Sequence, residues 1–320
     1  LTALVTGVGG FIGSTLAETL VERGERVVGI DSFLDYYPRP MKEKNLEALS
    51  ASSKFELREG PLQELELPRL LDECDRVFHL AAQAGVRASW GHEFGIYTDN
   101  NILATQHLLE AAVGTKIRSF VFASSSSVYG DAAPLPMVED IPLHPVSPYG
   151  VSKLAAEKLC ELYFVNHGVP TVSLRYFTVY GPRQRPDMAF HRLLKCALEG
   201  TPFQLYGDGG QTRDFTFVGD AVAATVAASE RGRHGAVYNI GGGSRVSMLE
   251  VIETVREVTG RKIEVVISQK QKGDMRDTYA DTSAARRDLG YAPTTRLREG
   301  LQREWDWIRA QSSSKLASRD

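Results

Sequence analysis

Thr2–Thr6 is a short apolar run without charge, the pattern of a strand buried on both faces of a parallel sheet. Further strand segments at 26–30, Phe55–Glu59, 76–80, 119–123 and Thr171–Tyr176 continue the sheet. Between them the apolar positions fall at helical spacing: Leu16, Leu20 and Val21 in one segment, a polar-apolar stretch over about 95–113 in another. Leu154, Ala155, Leu159, Leu162 and Tyr163 form a third, which Ser147-Pro148 prevents from starting earlier. Strand and helix in alternation predict an α/β fold on a doubly wound parallel sheet. Past Tyr176 prolines and arginines replace the periodicity, which predicts departure into a smaller α/β lobe. Beyond Tyr176 the pattern predicts helices at 190–198, 220–228, Met248–Thr259, Ser283–Leu289 and 297–310, and strands at 204–206, Val237–Ile240 and 264–267, of which Val237–Ile240 could rejoin the first lobe. The polar tail 311–320 reads as disordered.

Composition narrows the field mainly by exclusion. Hydrophobic residues at 42% and charged residues at 24% are ordinary for a globular chain, and a net charge of −3 supplies no basic field for nucleic acid or an anionic membrane. Cys74, Cys160 and Cys196 lie far apart without metal-ligand spacing, so they read as reduced core thiols of a cytoplasmic protein, with no metal. No apolar run approaches the ~20 residues of a membrane span, and no leader pattern precedes the first strand.

The chemistry begins where the first strand runs into Gly7-Val8-Gly9-Gly10-Phe11-Ile12-Gly13 and then a helix. That is the context of a Rossmann-type dinucleotide fingerprint: Gly7 for the turn, Gly10 for backbone approach to a pyrophosphate, Gly13 for helix packing, and the free N–H groups of the helix start for the anion. Asp31 ends the second strand about 20 residues on, where an acid binds ribose hydroxyls, and Ser32-Phe33 brings no arginine for a 2'-phosphate, so NAD is expected rather than NADP. Ala81, Ala82 and Gln83 follow the fourth strand as small residues beside a ligand, and Asn100 lies on the long helix. Ser124, Ser125, Ser126 and Ser127 directly follow the next strand, so their hydroxyls are expected to face the crevice at the sheet's end. Tyr149 and Lys153, four residues apart, share a helix face; an ammonium beside a phenol lowers its pKa, which would make Tyr149 a general base for an alcohol. Residues 1–176, with about 212–240, are expected to form the dinucleotide domain, and 177–211 with 241–310 the substrate lobe.

The motifs GVGGFIG, HLAAQAGVR, FASSSSVYG, YGVSK, RYFTVYGP, TRDF and GDMRD together resemble the nucleotide-sugar epimerases of the extended short-chain dehydrogenase/reductase family. DSFLDYY and FTVYGPRQRPDMAF are similar to the UDP-glucuronate 4-epimerases within it. One departure stands out: family members carry an acid after the third strand to bind adenine, and Gly60-Pro61-Leu62 has none. The resemblance implies a homodimer and a redox epimerisation in which Tyr149, assisted by Lys153, takes the 4-hydroxyl proton and Ser125 shares the 4-oxygen. It implies NAD contacts from Gly7, Gly10, Phe11, Ile12, Gly13, Asp31 and Ser32 on one side, and from Ala81, Ala82, Gln83, Asn100, Ser124, Tyr149, Lys153 and Tyr176 on the other. Ser126 and Ser127 would line the sugar, Tyr206 the uridine, and Arg213 and Arg276 the diphosphate. Thr178 stands where neutral-sugar epimerases have Asn, Ser127 where decarboxylases have Glu, and Arg185 is able to fork a carboxylate. The resemblance also leaves a UDP-glucose 4-epimerase, a UDP-glucuronate decarboxylase and a non-catalytic NAD sensor as alternatives.

Overall fold

A computed structural model describes residues 1–317. In chain order its first half runs β1 (Thr2–Thr6), α1 (Phe11–Glu22), β2 (Arg26–Asp31), α2 (Arg39–Ser50), β3 (Phe55–Glu59), α3 (Leu67–Asp72), β4 (Arg76–His79), α4 (Phe94–Tyr97), α5 (Ala104–Ala112), β5 (Ser119–Ser125), α6 (Pro148–His167) and β6 (Thr171–Tyr176). The second half runs β7 (Val179–Tyr180), α7 (Ala189–Glu199), β8 (Phe203–Tyr206), β9 (Thr212–Asp214), β10 (Thr216–Phe217), α8 (Val218–Arg231), β11 (Val237–Ile240), β12 (Arg245–Ser247), α9 (Met248–Thr259), β13 (Val265–Ser268), α10 (Ser283–Leu289) and α11 (Leu297–Ala317). Seven strands pair in the order β11-β6-β5-β4-β1-β2-β3, all parallel. The order reverses between β1 and β4, which opens a crevice at the strands' carboxyl ends. Helices cover both faces: Ala3, Val5, Val121 and Leu174 pack on the α1 and α8 side, while Leu4, Phe120 and Phe122 pack against residues of α5 and α6. Burial on both faces accounts for the scarcity of charge in these strands. Smaller ladders, β7 with β10, β8 with β13 and β9 with β12, lie outside the main sheet, and β9 and β10 fall in the 212–240 stretch that the sequence groups with the dinucleotide domain.

The pattern missed α2, α3, the two-residue strands and the three-residue strands β9 and β12, and two expectations need correction. The helix expected over 95–113 is not uniform, because Thr98–Leu103 is a π-helical segment between α4 and α5. A π insertion shifts every following side chain around the axis, and period alone does not reveal it. Helix α11, expected to stop at 310, continues to Ala317, so the disordered tail is corrected over 311–317; residues 318–320 lie outside the described residues. Among the described residues no helix is long and apolar enough to cross a membrane.

The position of α6 is set by a buried ion pair. Arg175 of β6 forks Glu157 of α6, Nη2 to Oε1 at 2.6 Å and Nε to Oε2 at 3.1 Å, and both side chains are 3% exposed. Ser124 of β5 donates to the same carboxylate at 2.5 Å, and Arg175 Nη1 donates to the Tyr129 hydroxyl and the Glu139 carbonyl, each at 2.8 Å. Removing one partner of such a pair strands the other charge in the interior. Glu157→Ala is therefore expected to cost about 3–5 kcal/mol of stability, read from the denaturant midpoint, and a loss under ~1 kcal/mol would contradict this account.

Candidate active site

The crevice deepens into a cavity of about 910 Å³ between the carboxyl ends of the main sheet and the second lobe. At one end lies the glycine turn. Gly7 has φ +70°, and a Cβ there would sit 2.8 Å from the Ala81 amide; at Gly13 a Cβ would meet the Gly7 carbonyl at 2.2 Å. Only glycine allows β1, α1 and β4 to close this tightly. Helix α1 opens on Gly10 without a side-chain cap, so its first N–H groups face the cavity end where Gly10, Phe11, Ile12 and Gly13 form the wall. Asp31 accepts from the Gly9 amide at 2.9 Å and the Phe33 amide at 2.8 Å, and a carboxylate so held retains lone pairs for two vicinal hydroxyls. Of the nearby cations, Arg39 lies over the Phe33 ring and pairs with Glu43 and Glu59, while Lys42 lies by Asp31 and donates to the Leu34 carbonyl at 2.6 Å, so both are already engaged. An uncapped helix start, a cradle that side chains would fill and an acid at the second strand's end fit a dinucleotide without a 2'-phosphate. Gly60, Pro61, Leu62 and Gln63 line the region where an acidic adenine contact is missing, leaving it apolar.

Farther along, the catalytic candidates converge. Ser147 caps α6, its hydroxyl accepting from Gly150 N at 3.1 Å, with Pro148 in the first turn, and this places Tyr149 in the cavity wall. Asn101, in the π segment, accepts from Gln83 N at 2.7 Å and donates to Gln83 O at 3.0 Å and to Ser152 Oγ at 2.8 Å. Ser152 Oγ in turn donates to the Tyr149 carbonyl at 2.8 Å, so one amide ties the end of β4 to the start of α6. Its neighbour Asn100 lines the cavity and donates to the Ile96 carbonyl. The sequence singled out Asn100, but Asn101 does the tethering.

The electrostatics depart from expectation. Burial raises the Tyr149 phenol above its ordinary value, with a Ser125 hydrogen bond and the charge of Arg185 pulling it down. Burial likewise pushes Lys153 down to about 8, with Cys160 and Glu157 acting the other way. The Lys153 ammonium lies 4.6 Å from the Phe122 ring centroid, toward the interior. The phenol is thus raised by desolvation instead of lowered by its helix neighbour, and the cation whose charge pulls it down is Arg185.

Ser125 caps a short turn, accepting from Ser127 N at 3.1 Å, and with Ser126 and Ser127 lines the cavity. Ser124 also borders it, but its hydroxyl is committed to Glu157. Asp31, Ser32, Ala81, Ala82, Gln83, Lys153, Tyr176 and Thr178 complete the walls, the Tyr176 hydroxyl bonding Thr225 Oγ1 at 2.6 Å. In the second lobe Tyr206 donates to Gln204 Oε1 and lies beneath Arg87 and Arg192, whose guanidinium carbons are 4.3 and 5.5 Å from its centroid. Arg213 is held by the carbonyls of Thr212, Met275 and Arg276, while Arg276 pairs with Asp208. Arg185 forks Asp187, Nε to Oδ1 at 3.0 Å and Nη2 to Oδ2 at 3.1 Å. Arg87, Arg192, Tyr36, Lys42 and Asp187 line the same cavity and were not assigned from the sequence; Arg87, Tyr36 and Asp187 lie inside the quoted motifs, which was the available signal. Five arginines at the substrate end suit a diphosphate and further anionic groups.

Residues 3–241 match the NAD dependent epimerase/dehydratase family. The chain is 46% identical over 303 residues to YtcB of Bacillus subtilis, described as an uncharacterized UDP-glucose epimerase, covering 94% of this chain and 96% of that one. It is 36% identical over 309 residues to the UDP-glucuronate 4-epimerase of Thermodesulfobacterium geofontis, covering 95% of each. The crystal structure of UDP-glucuronic acid 4-epimerase from Bacillus cereus, in complex with UDP-glucuronic acid and NAD, is similar at a TM-score of 0.94 and 44% identity, covering 97% of this chain and 100% of that chain. With the glycine cradle and the Tyr149 site in one cavity, and matches over nearly the whole length, this chain belongs to the NAD-dependent epimerase/dehydratase family.

Proposed function

We propose that this NAD-dependent UDP-sugar 4-epimerase interconverts UDP-glucuronate and UDP-galacturonate. The observation that carries the choice of sugar is Arg185: it lines the same cavity as Tyr149, its charge pulls on the Tyr149 phenol, and its Nη1 makes no hydrogen bond within the described residues. A cation so placed next to the base is suited to a sugar bearing a carboxylate one carbon from the reacting centre.

In this reading Tyr149 takes the proton from the 4-hydroxyl and returns it, Ser125 holds the 4-oxygen, and Lys153 stands one helix turn along as the buried cation of the pair. Bound NAD supplies the redox capacity that makes the 4-carbon transiently planar. The glycine turn and Asp31 hold its pyrophosphate and ribose, Arg213 and Arg276 hold the substrate diphosphate, and Tyr206 flanks the uridine. The flat 4-keto sugar then turns over in the cavity, presenting its other face. Glucuronate adds a hazard, because the intermediate is a β-keto acid that loses carbon dioxide when the carboxylate bond aligns with the carbonyl π system. Arg185, with Thr178 and Ser127 in the walls of the same cavity, would hold the carboxylate out of that alignment. A neutral-sugar reading is favoured by the identity to a UDP-glucose epimerase, and product identification by NMR with each sugar nucleotide separates the two.

The 94–112 helix and α6 pack side by side, and Leu103, Val151, Leu162 and Val165 are 43–70% exposed on them. That is more apolar surface than a helix facing water normally carries, and we infer a homodimer through these helices. Light scattering at micromolar concentration should give twice the chain mass; a monomer would refute it. Tyr149→Phe should retain NAD and UDP-sugar binding but lose at least ~100-fold in turnover, the lower range for removing a general acid/base, and a variant keeping more than half the rate would overturn the assignment. Arg185→Ala should weaken UDP-glucuronate by roughly 1.5–3 kcal/mol in calorimetry, the size of a hydrogen bond to a charged group, and UDP-glucose much less. It should also leak some turnovers to a 4-keto pentose, seen by mass spectrometry. Equal loss for both sugars without leakage would reassign Arg185 to the nucleotide or the fold.

A further inference from the structure

Arg185 does not stand alone in the cavity. Asp187 occupies one edge of its guanidinium, the edge formed by Nε and Nη2. Nε is the donor nearest the aliphatic stem, so a fork on that edge fixes the plane of the group and leaves the Nη1 edge as the one on offer. The Tyr36 hydroxyl donates to Asp187 Oδ2 at 3.2 Å, and its ring lies under Arg185 with 5.6 Å between centroid and guanidinium carbon. Tyr36 itself is wedged, since a Cβ on Gly85 would come within 2.3 Å of its hydroxyl. Three segments meet here: the turn after β2, the turn after β4 and the loop that carries Arg185.

The charge states agree with this arrangement. Burial raises the Tyr36 phenol, with Asp187 adding to the shift, so it stays a donor across neutral pH. Against the opposing effect of burial, Arg185 and the Tyr36 hydrogen bond hold Asp187 below the usual carboxylate range, so it stays an acceptor. The Arg185 side chain is 21% exposed and that of Asp187 41%.

We propose that Asp187, steadied by Tyr36, is a positioning residue that sets the preference for a sugar carboxylate by clamping Arg185 with its Nη1 edge turned to the substrate. The proposal rests on the glucuronate reading and deepens it. A free arginine has rotamer freedom to lose when it grips a ligand, and a clamped one has lost most of it beforehand. Asp187 also carries the same charge as the substrate carboxylate and opposes it. The Asp187 side chain is exposed enough for solvent to screen that repulsion, whereas the two hydrogen bonds of the fork, at 3.0 and 3.1 Å, fix the guanidinium plane, so orientation outweighs repulsion. A neutral hexose makes no use of the Nη1 edge and gains nothing from the clamp.

The test is the ratio of affinities for UDP-glucuronate and UDP-glucose, measured by calorimetry on the NAD-loaded enzyme. Asp187→Asn keeps the size but loses the fork, and is expected to reduce the ratio by about fivefold or more, the scale of a single lost hydrogen bond. Tyr36→Phe should reduce it less and in the same direction, and Asp187→Glu, which keeps a carboxylate, should recover part of it. A merely structural role would weaken both ligands together and leave the ratio where it was, which overturns the proposal. A ratio that rises in Asp187→Asn also overturns it, by making Asp187 a competitor for Arg185 instead of its guide. If the unaltered enzyme shows no preference for the uronate, the glucuronate reading fails first and the clamp with it; a preference that survives all three variants sinks the clamp alone.

Discussion

The Glu157 carboxylate is the point on which the catalytic geometry hangs. It takes hydrogen bonds from β5 through Ser124 and from β6 through Arg175, and it belongs to the helix that carries Tyr149 and Lys153. Arg175 extends the same network to Tyr129 and Glu139 in the long loop before that helix. Hydrophobic packing alone lets a helix slide over a sheet by a fraction of a turn with little penalty. A forked ion pair in the interior does not, because any sliding strands a charge. The tether from Asn101 through Ser152 performs the same service at the helix's first turn.

Dryness is the second theme. Burial outweighs every neighbouring charge at Tyr149 and Lys153, raising the phenol and lowering the ammonium. Both shifts favour the neutral form of the group, as desolvation does wherever a charge leaves water. Farther below, His79 is pushed to about 3 by burial and by Lys153, and its ring bridges the Thr6 and Thr105 hydroxyls as a neutral strut between strand and helix.

The legibility of this chain followed from where burial is two-sided. Strands such as Thr2–Thr6, Thr171–Tyr176 and Val237–Ile240 were readable to the residue, because a strand covered on both faces tolerates little charge. Helix α9 was readable because Ser247 and Glu250 form a capping box at its start. Helix α2 was not, since Arg39-Pro40 and a mostly polar sequence hide a face that buries only Lys42, Asn45, Leu46 and Leu49. At the site, fingerprint glycines, Asp31, Tyr149 and Ser125 could be named in advance because spacing and motif fix their chemistry. Asp187 and Asn101 could not, because their importance lies in partners distant along the chain: Tyr36 is 151 residues from Asp187, and Ser152 is 51 from Asn101.

The strand order carries a consequence for how the molecule is made. By Tyr176 six of the seven main strands have been synthesised, with the glycine turn, Asp31 and the serines already at their carboxyl ends. The ladder that carries Tyr206 is different, since β8 finds its partner only when β13 arrives some sixty residues later, at Val265–Ser268. A chain emerging from the ribosome thus holds six main strands while β8 still lacks its partner, and β11 completes the sheet at Val237–Ile240 before β13 appears. The β8–β13 ladder is the last of the sheets to close.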